Sequence, residues 1–145
     1  CNCIGHLGAG LMYAQRIGDD TSGADWERTR KFGVNTLAFR LAQNGSFFAS
    51  DADCVGAMGP IPWSLNRKWA GLLAKSGTPM FVSAKPGLLT GDENAELSEF
   101  FRINALQKDV CEPLDWMDNA CPAEWRINGK KQSIDWFKED GVKPL

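Results

Sequence analysis

The chain of 145 residues is 43% apolar and 23% charged, a balance that fits a globular domain with its own core and argues against disorder. Its formal net charge of −2 carries no basic excess, so neither nucleic acid nor an acidic membrane surface is expected as a partner. No apolar run approaches the roughly 20 residues that a membrane-spanning helix requires.

The chain opens Cys-Asn-Cys rather than with Met, so processing or truncation of a longer product is expected. Residues 11–17 read as a short strand, and a turn-rich segment, 18–25, follows. Trp26, Thr29, Gly33, Val34, Leu37, Ala38 and Leu41 then recur at helical spacing, which predicts a helix with one buried face. Thr21 or Ser22 is expected to cap it, and Asn44-Gly45 to end it. The pattern repeats. Phe47, Phe48 and Ala49 form a second short apolar run, with a long loop over 50–62 behind it. A helix around 66–76 places Trp69, Leu72 and Leu73 on one side and stops at Gly77. Residues 79–83 read as a third strand, 85–92 as a third loop, and 93–107 as a helix with Leu97, Phe100, Phe101 and Asn104 on one face. Successive strand–loop–helix units predict parallel strands joined by helical crossovers, an α/β fold. From Pro113 the helical rhythm stops. Residues 123–136 alternate in places around Asn128-Gly129, a hairpin-turn signal, so a β-rich region is expected at 113–145.

The five cysteines are too sparse for a disulfide scaffold. Cys1 and Cys3 have no paired CxxC elsewhere, which argues against a zinc site, while a Cys111–Cys121 disulfide stays open. Of the six Trp residues, any one is more often core than a sugar-stacking surface. Trp63 is the candidate for a stacking rim, with core packing as its alternative. His6 has no neighbouring His to share a metal, and no Ser lies in a G-x-S-x-G elbow.

In a parallel α/β barrel, substrates bind where strands exit into loops. The first strand exits through Arg16-Ile17-Gly18-Asp19-Asp20-Thr21, the second through Ser50-Asp51-Ala52-Asp53-Cys54. Spacing alone leaves two readings of Asp19-Asp20: a ligand-facing pair, or a helix cap favoured by the helix dipole. Asp51-Ala52-Asp53 lacks the continuation of a calcium-binding EF-hand loop. No metal and no cofactor is expected.

Arg16 to Asp20 resembles the Arg-x-x-x-Asp segment that carries the acid/base carboxylate in the melibiase-type alpha-galactosidases, whose bacterial members often read Arg-Ile-Gly-x-Asp. Further on, those enzymes show Asn-Asp-Pro-Asp followed by Met or Cys. Ser50 to Cys54 keeps both carboxylates but lacks the Asn and the Pro. The family's next helix and its Ala-Pro-Leu-Phe-Met-Ser strand are similar to Trp69 to Leu73 and to Thr78-Pro79-Met80-Phe81-Val82-Ser83. The likeness runs in consistent order over residues 1–111.

The resemblance implies the C-terminal half of a (β/α)8 barrel, strands 5–8, over 1–112, followed by the start of the β-rich region at 113–145. Residues 1–3 would end the fifth strand, 13–17 form the sixth, 47–50 the seventh and 79–83 the eighth. It implies part of a retaining glycoside hydrolase that cleaves terminal alpha-linked sugars. Asp20 would be the catalytic acid/base, and Arg16, Asp53 and Asp51 would bind the sugar. The nucleophilic Asp would lie on a fourth strand before residue 1. The expected partners are a carbohydrate substrate and the N-terminal half of the barrel, in the same or another chain. Secretion or periplasmic location follows from the family alone. The alternatives are a non-catalytic carbohydrate-binding relative and an unrelated α/β interaction domain.

Overall fold

A computed structural model describes residues 6–21, 23–106 and 108–137. The strand end expected at residues 1–3 lies outside them, as do one proposed cap, Ser22, and the side chain of His6.

The architecture is mixed α/β, built on two βαβ units. Strand β1 (Ala14–Arg16) pairs in parallel with β2 (Ala49–Asp51), with Arg16 beside Asp51. Strand β3 (Cys54–Ala57) pairs in parallel with β4 (Phe81–Ala84). Only Ala52 and Asp53 separate β2 from β3, and Asp53 adopts φ 71°, the left-handed region that a residue with a Cβ seldom enters. The run 49–57 is therefore one extended stretch kinked at Asp53. Its first half takes β1 as neighbour and its second half takes β4. The expected loop over 50–62 thus contains a strand, β3. These strands do not close into a barrel: among the described residues, β1 pairs with β2 alone and β4 with β3 alone.

The first crossover is helical over 26–40, as an α-turn, α1 (Trp26–Arg28), a π-helical stretch (Thr29–Val34), and α2 (Asn35–Arg40). Of the anticipated inner face, Thr29, Gly33, Val34, Leu37 and Ala38 are buried, while Trp26 and Leu41 are partly buried and pack against the core. The cap is neither Thr21 nor Ser22. Asp25 has extended backbone geometry, and its carboxylate accepts the Glu27 N–H at 2.9 Å. A 3₁₀ turn (Leu41–Gln43) ends the segment, and Gly45 follows at φ 73°. Asn44 then ties the layers together. Its side chain accepts from Ser50 N–H at 2.9 Å and donates to the Gly77 carbonyl at 2.9 Å.

Helix α3 (Trp63–Lys75) is the second crossover and begins three residues earlier than the periodicity predicts, directly after Pro62. It buries Leu65, Trp69, Leu72 and Leu73. Helix α4 (Gly91–Leu106) packs on α3. Its N-terminus is a reciprocal capping box: Thr90 Oγ1 accepts from Glu93 N–H, and the Glu93 carboxylate accepts from Thr90 N–H at 2.8 Å.

The hairpin signalled by Asn128-Gly129 forms, within a sheet whose first strand starts at Cys111, ahead of the boundary expected at 113. Strands β5 (Cys111–Pro113), β6 (Glu124–Ile127) and β7 (Lys130–Ser133) make an antiparallel sheet. Asn128 and Gly129 both have positive φ, the geometry of a type I′ hairpin. Trp125, Ile127 and Trp136 join Trp69, Leu72 and Leu37 in one core. Both indole N–H groups, of Trp125 and Trp136, donate to the Pro122 carbonyl. Cys111 and Cys121 are free thiols, so the disulfide left open by their spacing is not formed.

Candidate functional site

The C-terminal ends of β1 and β2 bring together Arg16, Asp20, Asp51 and Asp53, the four expected as catalytic or sugar-binding from the resemblance. Arg16 ends β1, and the parallel register sets Asp51, the last residue of β2, beside it. Its guanidinium spreads over three carboxylates. Nη1 lies 3.0 Å from Asp20 Oδ1, Nη2 lies 2.8 Å from Asp53 Oδ1, and Nε lies 3.4 Å from Asp51 Oδ2. A planar fork of donors can serve several oxygens at once, which a lysine ammonium cannot do in the same way. Burial works against the Arg16 charge, but Asp53 and Asp51 outweigh it and hold the group above its usual pKa. Carboxyl oxygens that the single guanidinium leaves open can accept hydrogen bonds from hydroxyl groups.

The three carboxylates differ in what remains free. The Asp53 side chain is only 8% exposed. Its Oδ2 accepts from Thr21 N–H at 2.6 Å and lies 3.1 Å from Thr21 Oγ1, while Oδ1 faces Arg16. The kink at Asp53 lets its own N–H donate back to Asp51 Oδ1 at 2.8 Å. Asp51 is a quarter exposed. Asp20 is 60% exposed, and its Oδ2 has no hydrogen-bond partner among the described residues. Asp20 does not cap the following helix, since Asp25 does.

Two contributors were not anticipated. Thr21, expected as a cap, is instead buried against the β2–β3 kink, with Oγ1 2.9 Å from the Cys54 carbonyl. Arg28, in the first helical turn, reaches back over the loop. Its Nε donates to the Asp20 carbonyl at 3.0 Å, and Nη2 pairs with Asp19 at 3.2 Å. A cation in a first turn opposes the helix dipole, and that is the signal in the sequence that marks Arg28 as held there for another reason. Asp19 pairs with Arg28 and not with Arg16. The Asp20 N–H first, and Arg28 second, hold its carboxyl below the usual range against its slight desolvation.

Trp63 is not at this site. Its indole donates to Glu96 at 2.7 Å, and Arg67 binds the same carboxylate, which fastens α3 to α4. A cleft of about 520 Å³ opens at the opposite, N-terminal ends of β1 and β2, lined by residues such as Leu11, Tyr13 and Phe47, and it contains none of the cluster. Among the described residues, no group of three or more His, Cys, Asp or Glu side chains is arranged to hold a metal ion. At the cluster, the Arg16 guanidinium supplies the positive charge between the carboxylates. No protein-family model, curated protein or solved structure matches this chain.

Proposed function

We propose that this chain supplies the acid/base side of a retaining glycoside hydrolase for terminal alpha-linked sugars, of the alpha-galactosidase type. The observation that carries the reading is the Arg16 fork joining Asp20, Asp51 and Asp53 at the C-terminal ends of adjacent parallel strands. That is the end of a parallel α/β fold where active sites are built. Within this reading β1, β2 and β4 are the sixth, seventh and eighth strands of a (β/α)8 barrel, and β3 continues the chain past the end of the seventh. The open edges of β1 and β4, with Tyr13, Phe81 and Val82 exposed, are the surfaces that the remaining strands would cover.

Asp20 is the residue with room to act. In the first step it gives its proton to the glycosidic oxygen as the bond from that oxygen to the anomeric carbon breaks. The bonding pair leaves with the oxygen, and a carboxylate nucleophile from outside this chain forms an ester to the anomeric carbon. In the second step Asp20 takes a proton from water, the water oxygen bonds to the anomeric carbon, and the ester pair returns to the nucleophile. Arg16 orients Asp20, and Asp51 accepts hydrogen bonds from sugar hydroxyls. Asp53, implied by the resemblance to bind sugar, has both oxygens engaged within the protein and serves mainly to hold Arg16.

Asp20→Asn in the full-length protein containing this chain is expected to abolish release of sugar from an alkyl glycoside. Undiminished release would overturn the proposal. Ser50 and Ala52, where the family carries Asn and Pro, favour a second reading, a relative that binds sugar without turnover. Saturable sugar binding with no hydrolysis would support that reading instead.

A further inference from the structure

We infer that Thr21 is a positioning residue for the proton-transfer step, acting through Asp53 and Arg16 on Asp20; the inference rests on the glycosidase reading above. Thr21 is 1% exposed, too enclosed to meet a ligand itself. It is nevertheless the joint between the two strand ends that make the cluster. Its N–H donates to Asp53 Oδ2 at 2.6 Å, and its hydroxyl lies within 3.1 Å of that oxygen and 2.9 Å of the Cys54 carbonyl. A hydroxyl has one proton to give, and both neighbours are acceptors belonging to the same kink. Thr21 therefore fastens the β1 exit loop to the one residue of the β2–β3 run in the left-handed region.

The consequence passes outward by two routes, one covalent and one non-covalent. Thr21 follows Asp20 directly, so fixing its N–H fixes the backbone that carries the Asp20 carboxylate. Asp53, gripped on Oδ2, presents Oδ1 to Arg16 Nη2, and the same guanidinium meets Asp20 through Nη1. Asp20 is itself largely exposed and would otherwise be free to rotate. Displacing a proton donor by about 1 Å is costly to catalysis even where the fold survives.

The test uses leaving-group dependence, which separates proton donation from general structural damage. An alkyl glycoside needs its leaving oxygen protonated, while a 2,4-dinitrophenyl glycoside leaves as a stable anion. The full-length protein containing this chain is first assayed with dinitrophenyl glycosides of galactose, N-acetylgalactosamine, arabinopyranose and glucose. The sugar it turns over is then used as the alkyl and aryl pair. In Thr21→Val, kcat/KM for the alkyl glycoside is expected to fall at least about 10-fold more than for the dinitrophenyl glycoside, with Thr21→Ser, which keeps the hydroxyl, within about 3-fold of wild type. Asp20→Asn should show the same selectivity more strongly. If Thr21→Val does not fold, as judged by circular dichroism, Thr21→Ala replaces it in the comparison. Should Asp20→Asn discriminate between leaving groups while the Thr21 variants lose both substrates equally or lose neither, the positioning role is wrong and the glycosidase reading stands. Absence of turnover on every sugar, or an Asp20→Asn protein indistinguishable from wild type, overturns both.

Discussion

Arg16 and Asp53 meet at 2.8 Å across two strand ends, the arginine side chain 19% exposed and the aspartate side chain 8% exposed. The pair is more enclosed than the Arg16–Asp20 contact, where the carboxylate is 60% exposed, so the two ends of the same fork do different work. One end anchors the arginine and the other presents a carboxylate to solvent.

Removing the arginine leaves the enclosed Asp53 charge without its counterion. Arg16→Leu is therefore expected to lower stability by about 3 kcal/mol. Arg16→Lys keeps the charge but cannot span three carboxylates, and should fall between wild type and Arg16→Leu. Urea unfolding of the three proteins checks this order, and an Arg16→Leu protein as stable as wild type contradicts it.

Asp20→Asn removes only an exposed partner of the same arginine. The change in unfolding free energy is expected to stay within about 0.5 kcal/mol, even as glycoside turnover is lost. A large loss of stability at this position would indicate that Asp20 supports the fold rather than the chemistry.

Gly23 turns the loop between Thr21 and Asp25 at φ 67°, with its α-carbon side pressed against β3. A Cβ placed there would lie 2.6 Å from the Gly56 Cα and from the Gly56 carbonyl oxygen. Gly23→Ala combines an unfavourable backbone region with a collision against main chain, and should cost about 2 kcal/mol or more. Thermal unfolding reads the effect; a melting temperature equal to wild type would mean that the loop does not approach β3 so closely.

Asp115 organises the turn that leads into β6. Burial alone would raise its pKa, but the Glu124 and Ala123 N–H groups and the Asn119 amide, at 3.0 to 3.1 Å, outweigh it and hold the carboxyl below its ordinary value. A depressed folded-state pKa contributes stability above the unfolded value near 3.9, and that stability is lost as pH falls through the folded value. Hydrogen exchange at the Ala123 and Glu124 amides should accelerate, after correction for intrinsic rates, once the pH drops below about 4. Protection that persists unchanged at pH 2 argues against the role.

Burial pushes the thiol of Cys111 up to about 12 and that of Cys121 to about 11. Lys75 and Arg30 respectively pull the other way without prevailing. The neutral thiols thus favour the folded state fully below the unfolded value near 8.5, and this contribution fades as pH rises toward the folded values. Iodoacetamide at pH 8 should label both sites far more slowly in the native protein than in urea, as mapped by peptide mass spectrometry. Equal native and denatured rates would exclude the buried placement.

Much of the fold is written in local patterns. The spacing of Thr29, Gly33, Val34, Leu37 and Ala38 defines one helix face wherever that helix is placed, and Asn128-Gly129 defines a tight hairpin by its φ preferences alone. Strand β3 is not legible in this way. Asp53 in the left-handed region resets the alternation of the run 49–57, so Cys54 to Ala57 continues no pattern begun at Ala49. The cap expected at Thr21 or Ser22 is Asp25, which the sequence does not single out because Ser, Thr and Asp side chains can all accept from a helical N–H. Only the folded chain brings Asp53 within reach of Thr21 and leaves Asp25 to cap the helix.

The candidate site divides along the same line. By itself the sequence determines that Arg16, Asp20, Asp51 and Asp53 fall at two strand exits, since short apolar runs followed by polar turns place them there. The tertiary structure decides which of them faces outward. Parallel pairing of β1 with β2 aligns Arg16 with Asp51, the kink turns Asp53 inward onto Thr21, and Asp20 is left exposed on the remaining arm of the guanidinium. The reason is physical: one guanidinium can satisfy three carboxylates only when strand register and backbone twist deliver them to its plane, and neither is a property of any short stretch of sequence.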